Sequence, residues 1–112
     1  MPTVALPSHL TYLDEESLGQ AFETLAARWR RETMMLSSSS EKVLHPAYQR
    51  IIGLGPAVIP LVLRELEQHG GHWFWALRAL TGENPVEPED AGQVRKMTEA
   101  WLEWGRQLGL RR

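Results

Sequence analysis

Residues 45–82, HPAYQRIIGLGPAVIPLVLRELEQHGGHWFWALRALTG, combine the densest apolar content of the chain with most of its helix-breaking punctuation. His45-Pro46 opens a helix, because the residue before proline resists the helical region and proline suits the first helical position. Tyr48, Ile51 and Ile52 follow at i, i+3 and i+4, which is one helical face. Gly53 and Gly55 are expected to end this helix through the left-handed cap conformation. A second helix starts at Pro56. Pro60 lies in its second turn, so its missing amide costs less than the ~3 kcal/mol of a deeply interior proline. Ile59, Val62, Leu63 and Leu66 form the buried stripe, and Glu65, Glu67 and Gln68 are expected to face solvent. Gly70-Gly71 ends that helix. A third runs from His72 to Thr81 and closes at Gly82. At 100° per residue, Trp73, Leu77 and Leu80 share one face, Phe74 flanks it, and Trp75 points away beside Arg78 and Ala79.

Working outward, residues 83–90 are acidic and carry Asn84-Pro85 and Glu87-Pro88, both turn signals. The long helix that follows, residues 90–108, has the chain's strongest periodicity: Val94, Met97, Trp101, Trp104 and Leu108 alternate spacings of three and four. Gly109 caps it. On the other side, Asp14 with Glu15 and Glu16 suits a helix start, where free amides and the dipole favour acids. Leu18, Phe22, Leu25 and Trp29 then make one stripe, and Met34, Met35 and Leu36 are expected to finish the helix. Ser37 to Ser40 form a solvated connection, with Ser38 and Glu41 at capping-box spacing. Residues 1–13 carry Pro2 and Pro7 without periodicity and read as an irregular arm, from which Leu10, Tyr12 and Leu13 are candidates to pack on the body. No segment alternates as a strand would. The expected architecture is therefore an all-α, compact bundle of about five helices over residues 14–112, in a single domain.

Two stretches resemble HEAT-type helical repeats. In the first, Leu54-Gly55, Ala57, Pro60 and Leu63 match the family's turn after its first helix and the small residue, proline and leucine of its second. In the second, Leu80-Thr81-Gly82 precedes Trp101 and Trp104, similar to the closing segment of some bacterial HEAT-like proteins. The resemblance covers residues 45–108 with gaps. It implies helical hairpins, binding of other macromolecules and no active site, although fold alone does not fix function.

The 112 residues include no cysteine, which removes disulfides, thiol catalysis and cysteine-based zinc sites. No signal-peptide pattern and no apolar run near the ~20 residues of a membrane span are present, so a cytoplasmic location is expected. The net charge of −2 gives no global attraction to nucleic acid. His69 and His72, with Glu65 one turn earlier, are the nearest approach to a metal set, but the Gly-Gly break between the histidines removes helical register, and neither metal nor cofactor is expected. No nucleophile elbow and no phosphate loop occurs, so the chain is not expected to be an enzyme. Protein binding has the most support. Trp75 is the surplus aromatic, beside Arg78, and a tryptophan next to an arginine is common hot-spot chemistry. The expected contact set is Trp75, Arg78, Trp73 and Trp104, in a small adaptor or regulatory subunit of a bacterial-type cytoplasmic complex. The alternative is a nucleic-acid-associated accessory protein using Arg28, Arg30 and Arg31 around Trp29, helped by Arg50, Arg106, Arg111 and Arg112.

Overall fold

The computed structural model describes residues 14–110. The N-terminal arm, with Leu10, Tyr12 and Leu13, and the terminal Arg111 and Arg112 lie outside the described residues. Among the described residues there are six α-helices: α1 (Glu15–Thr33), α2 (Ser39–Leu44), α3 (Pro46–Gly53), α4 (Ile59–His69), α5 (Phe74–Thr81) and α6 (Val94–Gln107), with 3-10 turns at Pro56–Val58 and Pro88–Asp90. Among the described residues there is no strand. The molecule is an all-α bundle, as the periodicities require.

Local signals account for most boundaries. The Asp14 carboxylate accepts from the Ser17 amide at 2.7 Å and starts α1; that bond lowers the Asp14 pKa from its usual value. Ser38 caps α2 by accepting from the Glu41 amide at 3.3 Å. The serine run therefore introduces a short helix of its own beyond the five expected. His45 then caps α3, its Nδ1 accepting from the Ala47 amide at 3.0 Å while its Nε2 meets Glu32 at 2.8 Å. An accepting Nδ1 carries no proton, so the ring's hydrogen sits on Nε2 and is donated to the carboxylate. The His45 bond, desolvation opposing it, and then the Arg28 charge leave the Glu32 carboxyl below its usual range.

Several boundaries differ from expectation. Helix α1 stops at Thr33 and leaves Met34 and Met35 exposed. Nothing buries those side chains, so nothing offsets the entropy of extending the helix over them. Gly53 is the last helical residue of α3 rather than its left-handed cap. Gly55 has φ 88° and ψ −178°, a region essentially reserved for glycine. It turns the chain into the 3-10 turn at Pro56. Helix α4 proper begins at Ile59, which puts Pro60 in its first turn, where no amide is missed. Helix α5 begins at Phe74 and α6 at Val94, each later than expected. The C-terminal end of α6 closes as expected on Gly109 (φ 73°), and the Leu110 amide donates to the Gly105 carbonyl at 2.8 Å.

The segments Pro46–Gly53 and Pro56–His69 meet at a bend of 105°. The main packing therefore runs between alternate helices. Helix α3 packs on both α1 and α5, and α4 packs on α6. No single described helix is long and apolar enough to cross a membrane. The bent pair that passes by composition buries Ile51, Val58, Val62, Leu63 and Leu66 inside the bundle.

The core centres on four aromatic rings. Trp73, fully buried, has ring centroids 6.0 Å from Phe22, 4.7 Å from Trp29 and 5.5 Å from Tyr48, the last nearly parallel at 11°. Trp29 and Tyr48 close the group at 5.4 Å. Such pairs contribute ~0.5–1.5 kcal/mol each beyond the area they bury. Trp29 also donates its Nε1 hydrogen to the Lys42 carbonyl at 2.7 Å, which fastens α2 to α1.

Tyr48 couples this core to α5. Its hydroxyl donates to the His72 carbonyl and accepts from the Ala76 amide, both at 2.8 Å. Helix α5 has no side-chain cap of its own, so a residue of α3 supplies one. Burial pushes the Tyr48 phenol well above its usual pKa. Tyr48→Phe keeps the ring and orphans a buried amide. It is expected to lower unfolding stability by about 1–3 kcal/mol, measured as a shifted denaturant midpoint with an unchanged slope.

Candidate functional site

The outer face of α5 and the turn that follows it form the site. Helix α5 is eight residues long, about two turns. Ala76 and Leu77 point inward and are fully buried, and this turns Trp75, Arg78 and Ala79 outward. Gly82, left-handed at φ 70° and ψ 9°, ends the helix and swings the chain across its own C-terminal end. The Thr81 hydroxyl accepts from the Glu83 amide at 3.0 Å, and the Asn84 side-chain oxygen accepts from the Val86 amide at 3.2 Å. These bonds fix the turn beside the helix. The result is an open cleft of about 340 Å³ lined by Trp75, Arg78, Ala79, Gly82, Glu83 and Asn84. Glu83 is held from behind by Trp104 of α6, whose Nε1 hydrogen it accepts at 2.8 Å. Trp104 in turn meets Trp101 edge-on, with centroids 5.3 Å apart.

The four expected contact residues therefore separate. Trp75 is 55% exposed and shares the cleft with Arg78. Trp104 is half-buried and reaches the cleft through Glu83. Trp73 is 0% exposed and sits in the aromatic core, so its place in the contact set is corrected: no partner can touch it. Consecutive helical residues diverge by about 100°, and Trp73 immediately precedes α5 with its ring turned inward. The sequence offered no signal for Glu83 and Asn84. Both belong to an acidic turn whose position against α5 depends on Gly82 and on Trp104, far along the chain.

The basic cluster of α1 is dispersed. Arg28 pairs with Glu32 one turn away at 3.2 Å, and Arg30 pairs with Glu65 of α4. Trp29, the aromatic inside that cluster, is 4% exposed and belongs to the core. Arg31 is exposed, and among the described residues it has no carboxylate partner. Of the helpers, Arg106 pairs with Glu103 at 2.6 Å, which holds that carboxyl below its usual range. A side chain already neutralised by a neighbouring acid offers less to a phosphate.

Among the described residues, no three His, Asp or Glu side chains come together as a metal-binding group. His72 is half-buried over the core, and its burial, then the nearby Lys42 charge, lowers its pKa from the usual 6.5. Glu65, the carboxylate one turn before His69, is turned into the bundle toward Arg30. No protein-family model matches the chain, and neither do the curated proteins or the solved structures compared with it.

Proposed function

We propose that this chain is a non-enzymatic protein-interaction module of HEAT-like type, acting as a small adaptor or regulatory subunit of a bacterial-type cytoplasmic complex. One observation carries the reading. A tryptophan stands 55% exposed beside an arginine without a carboxylate partner among the described residues, over an open cleft. Large aromatic surface is costly to leave in water, and tryptophan with arginine dominates the energetics of many interfaces. The rigid setting adds to this, because a contact residue on a packed helix loses little entropy on binding. The HEAT-like part of the reading rests on the sequence resemblance over residues 45–108. The buried Trp29 and the paired Arg28 and Arg30 weigh against the nucleic-acid alternative.

The test compares wild-type chain with Trp75→Ala as bait in extract of the native host. Hot-spot truncations cost about 2 kcal/mol or more of binding, which is roughly a thirtyfold loss of affinity. The variant is expected to lose a specific captured protein while its circular dichroism and Tm stay near wild type. Capture that is indifferent to the substitution removes Trp75 as the contact.

A further inference from the structure

We infer that the cleft on α5 takes an acidic peptide segment, in which an aspartate or glutamate lies next to an aromatic or large aliphatic side chain. The inference rests on the protein-binding reading and specifies the partner's chemistry.

The polar groups of the cleft are unequal in kind. Arg78 brings a guanidinium with five N–H donors and no acceptor. Among the described residues it has no carboxylate partner, although Glu83 lines the same cleft. Asn84 spends its side-chain oxygen on the Val86 amide, so its two amide hydrogens are left to donate. Glu83 supplies the acceptors, and one of its oxygens is already engaged by Trp104. That bond keeps the carboxylate on the α6 side. Free donors therefore outnumber free acceptors in the lining, which carries one positive charge on Arg78 and one negative charge, turned to Trp104, on Glu83. The complement of those donors is an acceptor-rich anion, and a planar carboxylate matches the guanidinium fork with two parallel bonds.

Trp75 supplies the other half. Its exposed ring and the small Ala79 and Gly82 make up the more apolar part of the lining. An apolar side chain laid there removes ring and aliphatic surface from water together. The volume of about 340 Å³ lies at the low end of the roughly 300–1,000 Å³ typical of ligand pockets. It suits one or two side chains and is too small for a large cofactor. Trp75 and Arg78 stand three positions apart on one helical face, so neighbouring side chains of a linear segment can meet both while its remaining backbone stays in solvent.

The experiment selects peptides from a displayed random-peptide library on the full chain, then titrates the selected peptides against wild type, Trp75→Ala and Arg78→Glu. Both substituted positions are exposed, and retained folding is checked by thermal melts. The expected consensus has Asp or Glu within one or two positions of an aromatic or large aliphatic residue. Arg78→Glu is expected to weaken these peptides by about tenfold or more, and peptides remade with Lys for the acid are expected to regain affinity for that variant. A consensus without an acid, or no consensus, overturns the inference. Binding that needs Trp75 yet ignores Arg78→Glu overturns the carboxylate and leaves the protein-binding face standing. Selected peptides that ignore both substitutions, or preferential binding of a single-stranded oligonucleotide abolished by Trp75→Ala, overturn this inference and the reading it rests on.

Discussion

Trp73→Ala is expected to cost about 3–5 kcal/mol, whereas Trp75→Ala, two residues away, is expected to cost less than about 1 kcal/mol. The difference follows from what each ring touches. Trp73 is fully buried and is the ring that meets Phe22, Trp29 and Tyr48 together. These residues belong to α1 and α3, so removing the indole loosens two helices from α5 at once. The void has no easy filler. Gly71 lies against the indole, with a hypothetical Cβ only 3.4 Å from Nε1, but it has no side chain to move inward. A domain of this size has about 5–15 kcal/mol of stability in total, so Trp73→Ala consumes a large fraction of it. In thermal melts the variant should fall by more than about 10 °C and lose near-ultraviolet circular dichroism from its aromatic group. Trp75→Ala should melt close to wild type. Equal losses at both positions would mean that the Trp75 ring is a packing element, and the binding reading would lose its central residue.

How far these assignments were legible depends on the range of the interaction behind each. The stripe Leu18, Phe22, Leu25 and Trp29 is buried throughout, because a helical period needs no knowledge of the partner to reveal a face. Ile59, Val62, Leu63 and Leu66 behave the same way. The α6 pattern is only half informative: Trp101 is buried, while Val94 and Leu108 at its ends are 60% and 58% exposed. Periodicity gives the direction of a face but not the length of the neighbour that covers it, and α4, at eleven residues, is shorter than the fourteen of α6. Trp75 could be set apart from Trp73 by angle alone. The cleft could not be anticipated, since it needs the Gly82 turn and the Glu83–Trp104 bond across 21 positions. Assigning Glu65 to solvent failed for the same reason: its partner lies 35 positions earlier.

That partner makes Arg30→Ala the second large effect, with an expected cost of about 3–5 kcal/mol. Glu65 has only 5% of its side chain exposed, and Arg30, 39% exposed, is its ion-pair partner. Taking a carboxylate out of water is tolerable while a guanidinium stands against it. Without Arg30 the same burial leaves an uncompensated charge. The pair also ties α1 to α4, whereas the aromatic group ties α1 to α3 and α5. Two substitutions separate charge from packing. Arg30→Met retains the aliphatic stem and should still be strongly destabilising, because the orphaned Glu65 causes the loss. Adding Glu65→Leu to Arg30→Met should recover most of the stability, since an apolar pair of similar volume has no desolvation to offset. Denaturant unfolding of the two single variants and the double gives the coupling directly. If the double variant is as unstable as the sum of the singles, the two side chains act independently and the bridge does not hold α1 on α4. Additivity would also release Arg30 from its structural role and return it to the exposed basic set beside Arg31, where the nucleic-acid alternative would regain a contact.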